Sequence, residues 1–248
     1  MLMLKVTAST ACGEMWRVLV RQCIGIGREH TTCLMRSAGL SGKNKSRAPI
    51  TTRKPKGPEL RPGLVHREFK APGPHRLWVT DIAYVRTRKG FVYTAFVTDA
   101  YSPRILGWAL SDSMRIEVLL LQALNQAIVC AKETTGVIHH WDHGLQYVSI
   151  VYNERLAEHG ITASTGTVGD SYDNALAENV NGSYKNELIH RRTWADVVDM
   201  EIATFEWVNW WNESRLHQSL DYHTPAEVEG EFWEHHPSQE LMEIKPKA

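Results

Sequence analysis

The chain has 248 residues, 43% hydrophobic and 23% charged, with 28 Lys/Arg balanced by 28 Asp/Glu. That length can bury one full core plus a smaller appendage, and the composition is that of a soluble globular protein. No apolar run reaches the roughly 18–20 residues needed to span a bilayer. Met1-Leu2-Met3-Leu4 is broken by Lys5 and is too short for a secretory segment. The expected compartment is the cytoplasm, with no membrane partner.

The balanced charge hides an asymmetry. Residues 1–74 hold 14 Lys/Arg against 4 Asp/Glu, and residues 75–248 hold 14 against 24. A basic arm on an acidic body points to a nucleic-acid partner for the arm. The cysteines (Cys12, Cys23, Cys33, Cys130) show no framework spacing and read as reduced thiols. Cys23, His30 and Cys33 lack a fourth ligand at zinc-finger spacing.

In chain order, residues 1–40 read as a short helical segment. Residues 1–16 show no clear pattern, and a helix is expected near 29–37 with Gly39 as its stop. Residues 41–74, rich in Lys, Arg and Pro, read as a basic extended linker able to track a DNA backbone. A core spans 75–225. Its expected strands are 76–86, 91–98, 104–110, 137–141 and 160–164. Its expected helices are 113–132, 146–159, 173–189 and 194–213, the last starting from Thr193 and Asp196 in a pattern like a capping box. Val198, Ile202, Phe205, Trp207, Trp210 and Trp211 read mostly as core. Residues 226–248, rich in Glu, read as an acidic tail.

Helix 173–189 separates into two faces. Leu176, Val180, Tyr184 and Leu188 make an apolar stripe, and Asn174, Glu178, Asn181 and Lys185 a polar one. Taken alone this is an ordinary amphipathic helix. Two further carboxylates change its reading. Asp81 sits within Leu77-Trp78-Val79-Thr80-Asp81-Ile82-Ala83-Tyr84-Val85, a strand apolar on both faces, where an ionised carboxylate is costly unless paired or metal-bound. Asp142 follows the short strand ending at Trp141, with 35 residues between it and Glu178. Three separated carboxylates suit magnesium, which takes oxygen ligands and substrate phosphates. Two such ions can clamp the attacking and leaving oxygens of an in-line displacement. His139 and His140 alternate across their strand and cannot share an ion.

Asp81, Asp142, Glu178 and Lys185 resemble the DDE motif of the retroviral-integrase-like superfamily. The words Leu77-Trp78-Val79-Thr80-Asp81-Ile82, Gly107-Trp108-Ala109-Leu110, Gln146-Tyr147-Val148-Ser149, Tyr172-Asp173-Asn174-Ala175, Lys185-Asn186-Glu187-Leu188, Trp211-Asn212-Glu213-Ser214-Arg215-Leu216-His217-Gln218-Ser219-Leu220 and Thr224-Pro225-Ala226-Glu227 resemble the second-reading-frame transposases of bacterial insertion sequences. The resemblance implies an α/β, ribonuclease-H-like fold with a five-stranded mixed sheet flanked by helices. It implies a metal-dependent DNA cleavage and strand-transfer enzyme whose catalytic and metal-binding residues are Asp81, Asp142 and Glu178, using two Mg2+ or Mn2+ ions. Lys185, Asn174, Asn181, Arg215 and His217 would contact DNA. Element ends and target DNA would be the partners of a homo-multimer, with an upstream-frame DNA-binding protein as a further partner. Of the upstream helix-turn-helix, only the last part is recognisable, from Arg28 to Leu40.

Three other readings compete. A catalytically impaired copy acting as a regulator is motivated by Trp141 and Leu145 around Asp142, where Ser is usual, and by Ser102-Pro103. A ribonuclease H would share the fold, but the Asp-to-Glu spacing and Lys185 fit it less well. A tyrosine recombinase using Tyr184 lacks an Arg/His cluster.

Overall fold

The structure, a computed structural model, describes residues 12–40, 71–113, 115–131, 133–141, 150–165 and 175–236. Residues 41–70 of the expected linker, Asp142 and Asn174 lie outside the described residues.

The core is built on a hairpin. β1 (Leu77–Thr87) and β2 (Gly90–Asp99) are rich in β-branched and aromatic residues and pair antiparallel from Trp78↔Asp99 to Thr87↔Gly90. Gly90 closes the turn at φ +136°, a conformation only glycine adopts without strain, and its carbonyl accepts from the Thr87 hydroxyl at 2.9 Å. β3 (Ile105–Ser111) adds antiparallel to β2. After α3 (Ile116–Ala131) the chain returns as β4 (Ile138–Trp141), parallel to β1, and after α4 (Ile150–Glu158) as β5 (Thr162–Thr165), parallel to β4. The order is β3-β2-β1-β4-β5, with β1 at the centre, as the resemblance implies for a ribonuclease-H-like sheet. α5 (Ala175–Glu187), α6 (Val197–Glu213) and α7 (Pro225–His235) follow.

Alternation along β1 sends side chains into two cores. One face buries Trp78 and Ile82 with Ala95 and Val97 beneath Leu120 and Leu124 of α3 and Tyr152 and Leu156 of α4. The other buries Ala83, Val85 and Phe96 against Val180 and Tyr184 of α5 and Met200, Trp207 and Trp211 of α6. The apolar stripe expected on α5 is thus the buried one, with Leu176 and Leu188 partly covered. β3 meets α3 at backbone distance. A Cβ on Gly107 would fall on the Ala123 carbonyl oxygen and 2.8 Å from the Ala127 amide nitrogen.

Four expectations change. A helix precedes the expected one: α1 (Cys12–Arg21) packs with α2 (Arg28–Ser37), each burying a methionine, Met15 and Met35. Their link to the body is Arg21, 2.8 Å from Glu227, and Arg17, stacked 5.0 Å over the Tyr222 ring. α6 starts at Asp196, whose side chain accepts from the Asp199 amide, rather than at Thr193. Val198, Ile202 and Phe205 of α6 are 58%, 63% and 64% exposed, because the four-residue offset of Met200, Thr204, Trp207 and Trp211 claims the inward face. Residues 225–235 form a docked helix instead of tail. Thr224 and Glu227 make a reciprocal capping box with Pro225 in the first turn. Glu229 then takes Arg104 at 2.6 Å and His75 at 3.1 Å. Burial alone would raise the Glu229 carboxyl, but these two partners outweigh it and hold it down at about 2.

Gly107→Ala should destabilise the chain by about 1–3 kcal/mol or more in urea denaturation, since the added carbon meets backbone that cannot rotate away. Gly182→Ala, at an α5 position with nothing within 4 Å, should instead stabilise by about 0.5–1 kcal/mol.

Candidate active site

Asp81 sits on the α5 face of the central strand, half-buried. Its Oδ1 accepts the Ile82 amide at 2.7 Å and its Oδ2 accepts the Asn181 side-chain amide at 2.8 Å. Asn181 is 7% exposed, so this bond is made in a protected setting. Hydrogen bonds to a charged group are worth about 1.5–3 kcal/mol. The bond spans 100 residues of sequence and fixes α5 against β1.

Glu178 lies three residues before Asn181, one turn or ~4.5 Å along α5 on a neighbouring face, and is exposed. Lys185 lies two turns beyond Glu178 and is half-buried. β4 runs parallel to β1 with Trp141 opposite Thr80, so the chain leaves β4 beside Asp81 one residue before Asp142. Asp81 and the helix carrying Glu178 and Lys185 are therefore brought together, and the strand leading to Asp142 ends next to them. Among the described residues no three His, Cys, Asp or Glu side chains form a metal-binding group. The chemistry of the donors still fits a hard divalent cation: Asp81 and Glu178 offer carboxylate oxygens, and the Ile82 and Asn181 bonds each leave Asp81 oxygens with accepting capacity. The histidines of β4 have other partners. His139 points to Tyr152 on the α3/α4 face, Nε2 to hydroxyl 2.7 Å, while His140, opposite Val79 and so on the Asp81 face, is engaged by Ser164 of β5 at 3.1 Å.

Trp141 does not crowd this site. It is 1% exposed and packs in the α3/α4 core, 5.2 Å from the His139 ring and 6.0 Å from that of Tyr152.

Three expected DNA contacts are placed inward. Asn181 is the buried partner of Asp81. Arg215 binds Glu187 at 2.7 Å through Nη2 and 3.1 Å through Nε, with its side chain 14% exposed and its guanidinium 4.7 Å over the Trp211 ring. His217 is 4% exposed, its ring 4.5 Å from that of Trp211. Sequence spacing put Arg215 and His217 on the surface because it could not show that the chain turns back after α6, where His217 and His223 form a bridge. The role of Asn181 had a legible signal, its position one helical turn from Glu178, but the strand facing it was not.

His217 is fixed as the neutral tautomer, accepting from Arg215 Nη1 at 3.1 Å on Nδ1 and donating from Nε2 to the Trp211 carbonyl at 3.3 Å. Burial, reinforced by the Arg215 charge, pushes it down to about 3, and burial with His140 does the same to His139.

Two models of the "Integrase core domain" match the chain, over residues 71–171 and 159–225. It is similar to the transposase for insertion sequence element IS629 of Shigella sonnei, 43% identical over 220 residues, 89% of this chain and 73% of that protein. It is 44% identical over 226 residues to a putative transposase for IS986/IS6110 of Mycobacterium tuberculosis (strain CDC 1551 / Oshkosh), 89% of this chain and 81% of the relative. The HTLV-2 integrase catalytic core domain, solved in complex with magnesium in a trimeric form, shares its fold at TM-score 0.51 and 17% identity, covering 64% of this chain and 99% of that one. A chain of the simian T-cell lymphotropic virus intasome does so at TM-score 0.53 and 12% identity, over 84% and 68%.

Asn181→Ala should weaken Mn2+ binding, read by calorimetry, roughly 10- to 100-fold, as loss of an orienting partner does. Stability against acid should follow the buried histidines. Unfolded, each takes up a proton near its ordinary 6.5, whereas folded it resists down to about 3. Their contribution is complete above pH ~6.5 and lost as pH falls towards 3. Urea midpoints should therefore drop between about pH 6.5 and pH 4, and His217→Gln should flatten that drop.

Proposed function

The chain belongs to the insertion-sequence transposases with an integrase core domain, polynucleotidyl transferases of DNA transposition, and from that premise we propose that Asp81, Asp142 and Glu178 are its catalytic, metal-holding carboxylates. The observation that carries this reading is the Asn181–Asp81 bond, which holds the helix of Glu178 against the strand of Asp81 where β4 delivers the residue before Asp142.

Mg2+ or Mn2+, bound by these oxygens as two ions, would supply charge stabilisation for the attacking and leaving oxygens of an in-line displacement. The chain's own groups do the rest. Asp81 and Asp142 hold one end of the site and Glu178 the other, presented from separate elements so that a phosphodiester fits between them. Asn181 and the Ile82 amide fix the rotamer of Asp81. Lys185, two turns along the same helix, places an ammonium against a DNA phosphate as a point charge. Asn174, the residue before Ala175 in sequence, would contact DNA as well. A water first, and a DNA 3′-hydroxyl next, would attack phosphorus in line as the bond from phosphorus to the 3′-oxygen on the opposite side breaks. That oxygen leaves and becomes a 3′-hydroxyl, taking up one proton as the nucleophile gives one up, and no covalent protein–DNA intermediate forms.

The DNA partners are element ends and target, engaged by a multimer of this chain, with an upstream-frame DNA-binding protein completing end recognition. Among the described residues no helix is long and apolar enough to cross a membrane, in keeping with action in the cytoplasm, where the DNA is. The regulator reading gains no support: of the departures that motivated it, Trp141 lies in the core and Ser102 is buried against Asp99, while Leu145 lies outside the described residues.

Asp81→Asn, Asp142→Asn and Glu178→Gln should each cut strand transfer by on the order of a thousandfold or more, about 4 kcal/mol of barrier, with circular dichroism and thermal melts little changed. The assay is formation of a new 3′-hydroxyl on end-bearing DNA with Mg2+ or Mn2+. A variant retaining most activity removes its residue from the assignment.

A further inference from the structure

β4 pairs with β1 only over Leu77–Thr80, so among the described residues β1 from Asp81 to Thr87 has a neighbour on its β2 side alone. Along this stretch, on the face turned away from Asp81, two consecutive cross-strand pairs meet, Tyr84↔Tyr93 and Arg86↔Phe91. Tyr84 and Phe91 are 52% and 55% exposed, and Tyr93 is partly covered. The rings of Tyr84 and Tyr93 stand edge-to-face with centroids 5.3 Å apart. Arg86 is exposed beside them and Arg88 in the turn beyond, whereas Lys89 is committed to Asp196 at 2.9 Å. Asp112 follows Ser111, the β3 partner of Tyr93, at the far edge.

Large aromatics left half in water do not contribute fully to the core. Rings with arginines between them do match the chemistry of an unpaired nucleic-acid strand: a base stacks on a ring face, and guanidinium groups pair with the phosphates on either side. Arg86 and Arg88 favour a polyanion over an apolar protein surface. Tyr84 is three residues from Asp81, ~10 Å along the strand, the length of a few nucleotides. Its phenol is raised by burial and then by the Asp81 charge, so the two groups share one electrostatic neighbourhood.

We propose that Tyr84, Phe91 and Tyr93, with Arg86, form a stacking platform for unpaired bases of the DNA strand adjoining the phosphodiester held at Asp81. This rests on the reading of Asp81 as catalytic. The platform holds the strand by its bases, which frees the scissile phosphate from duplex geometry, and it is indifferent to sequence because every base offers a π face.

The test is a binding measurement that involves no chemistry. The full chain is titrated into fluorescein-labelled oligothymidylate and, separately, into an abasic strand of equal length, and anisotropy is read. The wild type should prefer the base-bearing strand. The double variant Tyr84→Ala/Phe91→Ala should bind oligothymidylate roughly tenfold or more weaker, with its affinity for the abasic strand unchanged. Tyr84→Phe should behave as wild type. Asp81→Asn should keep the preference for bases even as strand transfer fails, so the two proposals fail separately. Unchanged oligothymidylate binding by the double variant overturns the platform. So does an equal loss on both strands, or a change in oligomeric state alone, which would assign the patch to a second copy of the chain.

Discussion

A carboxylate on the central strand of a sheet covered on both faces has to be compensated, and in this protein the Asn181 amide and the adjacent Ile82 amide do it. Two hydrogen bonds, one to each carboxylate oxygen, hold Asp81 in one rotamer. The Asn181 bond is also a link between distant parts of the chain, because its donor rides on α5. The packing of α5 against β1, which brings Glu178 and Lys185 to the strand of Asp81, has this polar contact at one edge and the buried stripe of Val180 and Tyr184 at the other. Loosening either would move the helix that carries half of the proposed site.

The rest of the structure keeps that arrangement rigid. Below the sheet, Gly107 lets α3 approach β3 at backbone distance, and Trp78, His139, Trp141 and Tyr152 fill the space under the strands that carry or precede the acidic residues. Above it, Phe96, Tyr184, Trp207 and Trp211 stack in series from β2 through α5 to α6. The Glu187–Arg215 pair then ties the end of α5 to the chain leaving α6. At the far end Glu229 of α7 takes Arg104, the residue before β3, and His75, two residues before β1. Rigid elements of this kind suit a reaction whose catalysis is largely positioning.

Much of this was readable in advance. The apolar runs 76–86 and 91–98 with a Lys-Gly turn between them specify a hairpin, and the two stripes on 173–189 specify which side of that helix is buried. Those patterns are local, so they survive in the sequence. The three carboxylates were recognisable from residue type and spacing. What failed was of another kind. Val198, Ile202 and Phe205 are apolar at helical spacing, yet a competing stripe two residues on, about 200° round the helix, won the inward face. Arg215 and His217 looked exposed because polar side chains after a helix usually are, and only the return of the chain at His223 encloses them. Thr224-Pro225-Ala226-Glu227 carries a complete capping box, but the Glu-rich composition beyond it concealed a docked helix.

The sequence by itself determined the family, the sheet order that goes with it and the chemical kind of the site, because residue type and one-dimensional spacing carry that information. Only the tertiary structure decided that Asn181 is bonded to Asp81, that Trp141 is core, and that Tyr84 and Phe91 are left partly in water. Each of these depends on which distant segment arrives as a neighbour. A side chain's role is set by what it touches, and contacts across 100 residues of chain are made by packing, not by spacing.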